Sequence, residues 1–546
     1  MKKVKRLASL ILAFVLAFVL AVPAFAATVN NETGHEYKAY QIFTGTQASD
    51  DVTGALAVTG WGSGVDGATF LAELKTANAD LYGNANSAAE VAAVLSENNS
   101  NSEVANEFAK IAEKHIKKDQ GIDIAADAEL TAGYYLFVDQ TTTSGKDDVK
   151  GLSLLQVTQK GDIELKSKND KPSVEKKVKE NLKNVSGNKD DRIPDYELST
   201  GYNDVADYNI GDDVPFELIG TLPQNLDLYN TYKYIFHDTL SAGLTYKEGS
   251  LKVYVVDTEK DTENDDNVIP ESAYKLTVAN QKIEVAFDNI KSVDGVAAGK
   301  KIVVKYEATL NKNAEIGLDG NKNEVYLQYS NNPNNGGEGD TGETPKDEVL
   351  VFTYELDVTK IDGATAGDNP KKLAGAKFVL KNSEGKYVQV DADGKVTGWV
   401  DTEPNPENQE DAAGILTSND DGLFKVIGLD AGTYYLKEVV APAGYNILKD
   451  EIELKVLATT KNDQNWTSGN ASDALTALKI KVGTGDETDG DVNSGIVSAT
   501  VQNNKGGTLP ETGGIGTTIF YLTGTILVLG AVVLLITKKR MENAEK

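Results

Sequence analysis

The stretch Tyr434-Tyr435-Leu436-Lys437-Glu438-Val439-Val440-Ala441-Pro442-Ala443-Gly444-Tyr445 has the alternation of a β-strand and ends in a turn. Side chains alternate between the two faces of a strand, so Tyr434, Leu436 and Glu438 share one face. The pattern therefore predicts a glutamate on the same strand face as an aromatic and an aliphatic residue. A solvated position at a sheet edge is the alternative, because a glutamate is rarely buried without a partner.

Two segments of the chain share one arrangement of such in-phase polar residues. Each has an inward lysine in its first strand, an inward carboxyl residue in its middle and an inward asparagine in its last strand. They are Lys176, Asp238 and Asn323 in the earlier segment and Lys360, Glu438 and Asn503 in the later one. The lysine and the asparagine are 147 residues apart in the first segment and 143 in the second, which indicates a common design.

The composition excludes several classes of function. The chain has 546 residues, a formal net charge of −29 and no cysteine, and its three histidines are far apart in sequence. At roughly 150 residues per domain, this length predicts three or four domains. The lack of cysteine removes disulfides, thiolate metal sites and cysteine nucleophiles. Nucleic acid is not expected as a partner, because phosphate binding needs clustered Lys and Arg. We predict a multidomain chain with no cofactor and no metal site, poorly equipped for ordinary enzymatic catalysis.

The N-terminus has the pattern of a secretory signal peptide. Basic residues within positions 2–6 precede an apolar run from Leu7 to about Val22, and Ala24-Phe25-Ala26 matches the small-x-small cleavage pattern. We therefore predict a signal peptide over residues 1–26, with a retained membrane anchor as the alternative.

The C-terminus, residues 506–546, has three consecutive parts. The pentapeptide consists of Leu509, Pro510, Glu511, Thr512 and Gly513. The apolar run 515–536 that follows is long enough to cross a bilayer. The basic tail 538–546 would stay on the cytoplasmic side. A permanent single-span anchor is the alternative to processing at the pentapeptide.

The rest of the chain divides into three predicted units. Residues 27–171 combine strand patterns such as Tyr37–Phe43 with helical patterns, including a capping box at Ser87–Glu90. Residues 172–348 and 349–505 show short strands separated by Gly, Asn and Asp turns, which is typical of β-sandwiches. Within the second unit, Ser330–Lys346 has the composition of a linker or long loop.

These motifs together resemble a known family. The stretch 434–445 is similar to the E-box of pilins, Y-x-L-x-E-T-x-A-P-x-G-Y, with Val439 at the usual Thr, so the third unit resembles a Cna-B-type domain. The second unit resembles the fimbrial isopeptide-forming domain in Pro172–Val178, Phe236–Leu240 and Asn323–Pro333. The C-terminus resembles the cell-wall sorting signal of Gram-positive surface proteins. The whole chain thus resembles a major, or backbone, pilin of Gram-positive bacteria.

The resemblance implies a fold and a set of site residues. The expected fold is mostly β, with tandem immunoglobulin-like (Cna-B-type) sandwiches and an α+β N-terminal domain. Isopeptide bonds are expected between Lys176 and Asn323 and between Lys360 and Asn503, promoted by the carboxyls of Asp238 and Glu438. Burial would leave the lysine amine neutral and nucleophilic. It would also keep the carboxyl protonated, so that it polarises the amide and shuttles protons while ammonia leaves. Each domain would react once, which is maturation rather than enzymatic turnover.

A third internal bond in the first unit has weaker support. Its residues would be Lys38, Asp139 and Asn169. Asp139 is out of phase with Leu136 and Val138, and the first unit contains no complete E-box.

The resemblance also implies partners. A sortase would attack the Thr512 carbonyl, and a lysine of the next subunit would accept the acyl group. The family acceptor lies before the second domain, often in Tyr-Pro-Lys-Asn; here Lys168-Asn169 aligns with Lys-Asn but the Tyr-Pro is missing. Lys168 is therefore favoured, while Lys166 and Lys171 stay open. Expected partners are pilus-type and wall-anchoring sortases, other copies of the chain, minor pilins and peptidoglycan, with a host surface ligand as a further candidate.

Two other functions compete with a backbone pilin on the cell wall. One is a wall-anchored monomeric adhesin or minor pilin that binds a host ligand and needs no acceptor lysine. The other is a wall-anchored hydrolase, which would need paired acids or a nucleophile with a base placed in a cleft.

Overall fold

The computed structural model describes most of the chain. The described residues are 26–30, 35–47, 56–98, 102–124, 128–157, 163–165, 170–181, 202–258, 261–262, 264–335, 337–460, 474–506 and 515–544. Four predicted features therefore lie outside them: most of the signal peptide 1–26, the lysines Lys166 and Lys168, Asn169, and the pentapeptide Leu509–Gly513.

The N-terminal domain combines two sheets with four helices. Its strands are β1 (Ala26–Asn30), β2 (Tyr37–Thr46), β3 (Ala57–Trp61), β4 (Ile122–Ile124), β5 (Ala128–Thr131), β6 (Gly133–Asp139), β7 (Leu152–Val157) and β8 (Ile163–Glu164). Its helices are α1 (Gly67–Ala77), α2 (Ala79–Tyr82), α3 (Ala88–Glu97) and α4 (Ser102–Lys114). One sheet has the order β5-β1-β8, and the other has the order β3-β2-β6-β7 with β4 added to β2.

Apolar helix faces build the larger core of this domain. Phe70 of α1, Val91 of α3 and Phe108 of α4 are buried in one cluster with Phe43 of β2. The α3 helix begins at the predicted cap, where the Ser87 hydroxyl accepts a hydrogen bond from the Glu90 amide at 3.3 Å. The predicted α+β character of the N-terminal domain is confirmed.

The middle domain consists of two sheets packed face to face. Its strands are β9 (Ser173–Lys179), β10 (Tyr202–Asn203), β11 (Val205–Asp207), β12 (Asp213–Thr221), β13 (Tyr234–Leu240), β14 (Leu244–Tyr246), β15 (Lys252–Val256), β16 (Val268–Ile269), β17 (Lys275–Ala279), β18 (Lys282–Phe287), β19 (Lys301–Leu310), β20 (Asn321–Ser330), β21 (Thr341–Glu343) and β22 (Asp347–Phe352). One sheet has the order β10-β9-β12-β19-β15-β16, with β14 on β19. The other has the order β11-β22-β20-β13-β18-β17, with β21 on β20.

The third domain also has two sheets. Its strands are β23 (Tyr354–Asp362), β24 (Lys377–Asn382), β25 (Tyr387–Val390), β26 (Val396–Val400), β27 (Leu416–Thr417), β28 (Leu423–Leu429), β29 (Gly432–Val440), β30 (Ile452–Thr460), β31 (Leu475–Val482), β32 (Glu487–Asp489) and β33 (Ile496–Asn503). The small sheet has the order β28-β23-β33, and the large one has the order β26-β25-β24-β29-β30-β31-β32, with β27 on β24. The predicted mostly β fold is confirmed.

The segment predicted as a linker belongs to the middle domain. It contains β21, which pairs with β20, and the predicted boundary after residue 348 falls inside β22. That strand pairs with β20 on one side and with β11 on the other. The segment also contacts the N-terminal domain, because the Asn331 side-chain amide donates to Thr143 Oγ1 at 2.7 Å. Its Asn- and Gly-rich composition therefore reflects edge structure and a domain contact rather than a free connection.

A fifth helix ends the described chain. Helix α5 (Ile515–Ala544) includes Ile519–Met541, which is long and apolar enough to cross a membrane. Its apolar side chains are exposed in the protein alone, for example Phe520 at 81 % and Leu527 at 71 %. This helix covers the predicted spanning run 515–536.

Buried carboxyl groups lie where the middle and third domains meet. Asp207 and Asp430 are 0 % and 1 % exposed. Asp430 Oδ2 accepts a hydrogen bond from Asn181 Nδ2 at 2.8 Å, and Asp207 Oδ2 accepts one from the Tyr354 hydroxyl at 3.1 Å. Burial and the adjacent Asp207 carboxyl raise the pKa of Asp430 well above its ordinary value. The interface thus holds a buried carboxyl group whose protonated form is favoured relative to an exposed aspartate.

This interface predicts a pH-dependent effect of Asp430→Asn. With a raised pKa in the folded state, the free energy of unfolding falls as the pH rises above the ordinary carboxyl value. An asparagine mimics the protonated carboxyl and removes this loss. We expect stabilisation on the order of 1 kcal/mol at pH 7 and none below about pH 4. Thermal unfolding across this pH range measures it, with the exposed Asp420→Asn as the control; equal effects at both pH values would contradict the prediction.

Candidate functional site

The predicted polar residues of the third domain meet at one point of its core. Lys360 lies on β23 and Asn503 on β33, and these are neighbouring parallel strands in which Asp362 is opposite Asn503. Glu438 lies on β29 in the other sheet. Alternation along each strand turns these side chains inward, and Lys360 and Asn503 are 0 % exposed. Glu438 is 3 % exposed, so none of the three is a solvated edge residue.

The three side chains form a closed set of contacts. Lys360 Nζ contacts Asn503 Oδ1 and lies 3.3 Å from Glu438 Oε1. The Asn503 amide nitrogen donates to both Glu438 oxygens, at 3.0 and 2.9 Å, and to the Asn446 carbonyl at 2.8 Å. The Leu448 amide donates to Glu438 Oε2 at 2.8 Å. Burial lowers the pKa of Lys360, although the Glu438 carboxyl opposes this.

The middle domain has a second cluster, which bridges its two sheets. Lys176 extends from β9 in one sheet. Asp238 on β13 and Asn323 on β20 extend from the facing sheet, where Leu240 is opposite Asn323. All three are at most 1 % exposed. Lys176 Nζ lies 2.7 Å from Asp238 Oδ2 and 5.4 Å from the centre of the Phe216 ring.

A tyrosine connects the members of this second cluster. The Tyr306 hydroxyl donates to Asp238 Oδ2 at 2.6 Å and accepts from Asn323 Nδ2 at 2.7 Å. It also lies 3.4 Å from Lys176 Nζ. Burial raises the pKa of Asp238 and lowers the pKa of Lys176, and the attraction between the two opposes both shifts.

Sequence reasoning missed several contributors to these clusters. Tyr306 lies in the apolar phase of β19, where a tyrosine is an ordinary core residue and gives no signal. Asp347, whose carboxyl accepts from the Lys176 backbone amide at 2.6 Å, lies between the segment predicted as a linker or long loop and the predicted domain boundary after residue 348. The contacts from Asn446 and Leu448 use backbone atoms, which carry no residue-type signal.

The structure does not bring Lys38 and Asp139 together, which corrects the expectation for the N-terminal domain. Lys38 Nζ is 3.0 Å from Asp123 Oδ1, and the Lys38 side chain is 33 % exposed. Tyr40, two residues further along the strand, is buried, but Lys38 itself is only partly buried. Asp139 is buried, but it pairs with His35 Nδ1 at 2.7 Å.

One of the three candidate acceptor lysines is described. Lys171 Nζ lies 2.6 Å from Asp147 Oδ2, and its side chain is 48 % exposed. This lysine contacts the N-terminal domain just before β9 begins.

Each buried cluster has the groups needed for one acyl transfer. In the third domain the amine, the carboxyl and the carboxamide contact one another. In the middle domain the amine contacts the carboxyl, and the Tyr306 hydroxyl connects both to the carboxamide. The lowered lysine pKa favours the nucleophilic neutral amine. Among the described residues, no group of three or more His, Cys, Asp or Glu side chains could hold a metal ion.

Comparison with known families assigns three parts of the chain. Residues 210–333 match the Gram-positive pilin backbone subunit 2, Cna-B-like domain. Residues 355–470 match a prealbumin-like fold domain, and residues 501–543 match the LPXTG cell wall anchor motif. The motif marks a protein of the Gram-positive cell surface.

Known proteins resemble the chain over larger parts. It is 25 % identical over 358 residues to the trypsin-resistant surface T6 protein of Streptococcus pyogenes serotype M6, covering 56 % of this chain and 60 % of that protein. Among solved structures, the T6 backbone pilin of the same serotype is 18 % identical, with a TM-score of 0.48 over 88 % of this chain and 98 % of that one. The major pilin SpaD from Corynebacterium diphtheriae is 16 % identical, with a TM-score of 0.45 and the same coverages. By its matched domains and its anchor motif, the chain is similar to the backbone pilins of Gram-positive bacteria.

Proposed function

We propose that the chain is the backbone subunit of a covalently polymerised pilus on a Gram-positive cell wall. The observation that carries the proposal is the pair of buried lysine–carboxyl–asparagine clusters in a chain that ends in an LPXTG motif. The resemblance to backbone pilins points in the same direction. The protein would act as a structural element rather than as an enzyme.

Each cluster would form one isopeptide bond after folding. The neutral amine of Lys360 attacks the Asn503 side-chain carbonyl carbon, a C–N bond forms, and the bond to the amide nitrogen breaks. One amine proton moves to that nitrogen, which leaves as ammonia, and Glu438 carries the proton because its oxygens contact both nitrogens. In the middle domain Asp238, which contacts Lys176 Nζ, would be the carboxyl that promotes the bond between Lys176 and Asn323.

The bond between Lys360 and Asn503 would join the strands at which tension enters and leaves the third domain. These strands are β23, the first of the domain, and β33, the last. A force on either end then passes through covalent bonds instead of unzipping hydrogen bonds between strands. Closing a loop of 143 residues also restricts the unfolded chain, and a disulfide-type entropy estimate gives roughly 5 kcal/mol.

Polymerisation would join the C-terminal Thr512 of one subunit to an internal lysine, just before the middle domain, of the next subunit. A pilus-type sortase would cleave after Thr512 and transfer its carbonyl to Lys168 of the next subunit, with Lys166 and Lys171 as the other candidates. This contact is heterologous, so it propagates as a filament rather than closing into a ring. A wall-anchoring sortase would attach the base of the filament to peptidoglycan, and minor pilins would complete it.

The isopeptide chemistry predicts a mass deficit. Full-length chain extracted in detergent from a sortase-deficient strain should lack the mass of two ammonia molecules, and tryptic digests should contain peptides linking Lys360 to Asn503 and Lys176 to Asn323. Glu438→Gln should abolish the first link alone and lower the free energy of unfolding of the third domain by roughly 5 kcal/mol. The exposed Glu410→Gln serves as the control. Wild-type chain at full mass would contradict the bond assignment.

The assembly predicts a covalent ladder. Wall extracts boiled in SDS should show a high-mass series that collapses to monomer in Lys168→Ala, because the acceptor amine is lost. Lys171→Ala at equal expression is the matched control, and it should leave the ladder intact. A ladder that survives Lys168→Ala would move the acceptor to Lys166 or Lys171. No ladder in wild type, with sortases present, would contradict the backbone-pilin proposal and favour a monomeric adhesin.

A further inference from the structure

The middle-domain cluster differs from the third-domain cluster by one tyrosine. We propose that Tyr306 is a catalytic residue for the Lys176–Asn323 bond, passing a proton between Asp238 and the departing Asn323 nitrogen. The inference rests on the proposed function, because it concerns the same bond, and it assigns a step that Asp238 does not perform directly.

The hydrogen bonds place Tyr306 between the two groups. Its hydroxyl lies 2.6 Å from Asp238 Oδ2 and 2.7 Å from Asn323 Nδ2. Among the described residues, Asp238 Oδ1 and Asn323 Oδ1 are buried and accept no hydrogen bond. The route from the carboxyl to the amide nitrogen that the contacts provide therefore runs through the tyrosine hydroxyl.

The third domain shows what the tyrosine replaces. There, Glu438 accepts directly from Asn503 Nδ2, at 3.0 and 2.9 Å. Aspartate is one methylene shorter than glutamate, so its carboxyl ends closer to its own strand and leaves a gap to the asparagine. The Tyr306 hydroxyl occupies the resulting gap in the middle domain. One cluster thus uses a long carboxyl alone, and the other uses a short carboxyl and a hydroxyl.

The position of Tyr306 is held by its surroundings. The residue is 2 % exposed. Its ring stacks on Phe216 at 5.5 Å between centres and lies 6.0 Å from the Tyr246 ring. Lys176 Nζ, the nucleophile, lies 3.4 Å from the hydroxyl oxygen. The hydroxyl consequently touches all three reacting side chains.

The relay balances in protons and bonds. The reaction starts from neutral Lys176 and protonated Asp238. As Lys176 Nζ bonds to the Asn323 carbonyl carbon, Asp238 gives its proton to the Tyr306 oxygen, and Tyr306 passes its own proton to Asn323 Nδ2. The carbon–nitrogen bond to Nδ2 breaks, and ammonia leaves. Asp238 then takes the surplus proton from Nζ, so that Asp238 and Tyr306 return to their initial states.

Tyr306→Phe tests the relay, because it removes the hydroxyl and keeps the ring. Full-length chain extracted in detergent from a sortase-deficient strain is sampled at fixed times after synthesis, and the Lys176–Asn323 peptide is quantified by mass spectrometry. We expect its formation to slow roughly a hundredfold. The Lys360–Asn503 peptide of the same molecule is the internal control. Tyr234→Phe is the matched variant, because Tyr234 is buried and its hydroxyl makes no hydrogen bond to the described residues.

A rescue variant separates catalysis from packing. The double variant Asp238→Glu with Tyr306→Phe restores a long carboxyl like that of Glu438. Its Lys176–Asn323 bond should form at least tenfold faster than the same bond in Tyr306→Phe alone. A loss that this double variant fails to restore would give Tyr306 a packing role and overturn the relay. Formation at the wild-type rate in Tyr306→Phe would also overturn it, while the proposed bond would stand. Absence of the Lys176–Asn323 peptide from wild type would instead overturn the bond itself and the relay with it.

Discussion

The architecture of the middle and third domains depends on one costly arrangement, a lysine amine with no exposure to solvent. An ammonium group in a protein core is strongly unfavourable unless it is paired and hydrogen-bonded. In both domains a single carboxyl group lies beside the amine, and a carboxamide completes the set. In the proposed reaction the amine becomes a neutral amide. The charges that make the folded precursor costly are then removed, so the most unfavourable feature of the core is also the one that drives its maturation.

The two clusters reach the same chemistry from different strand geometries. In the third domain the lysine and asparagine lie on neighbouring parallel strands, and only the glutamate comes from the facing sheet. In the middle domain the lysine lies in one sheet, while the carboxyl and the asparagine lie in the other. In the third domain the bond would join two neighbouring strands of one sheet. In the middle domain the bond would join the two sheets through the core. Different distances between the partners follow, which accounts for Glu438 acting alone and Asp238 having Tyr306 beside it.

The period-two pattern of strands singled out the six cluster residues, because a polar residue in an apolar phase stands out. The resemblance to pilins was needed to favour their burial over solvated positions at a sheet edge. The mostly β fold could be predicted from the same period-two pattern. Tyr306 could not be identified, since tyrosine in an apolar phase is normal. The composition of Ser330–Lys346 predicts a linker or long loop. Composition does not reveal the hydrogen bond between Asn331 and Thr143, which are far apart in sequence. Strand phase was a weak guide to Lys38, because β2 has buried residues on both faces.

The order of these elements along the chain determines which parts of a proposed fibre would carry load. From Lys168, the chain enters β9 within a few residues. The proposed bond between Lys176 and Asn323 would transfer tension to β20. From there the chain reaches β22 and then β23, separated by the single residue Thr353. The bond at Lys360 passes tension to β33, which ends shortly before Thr512. The N-terminal domain precedes Lys168 entirely, so it would lie outside this path and be held to the middle domain by contacts such as Asn331 with Thr143.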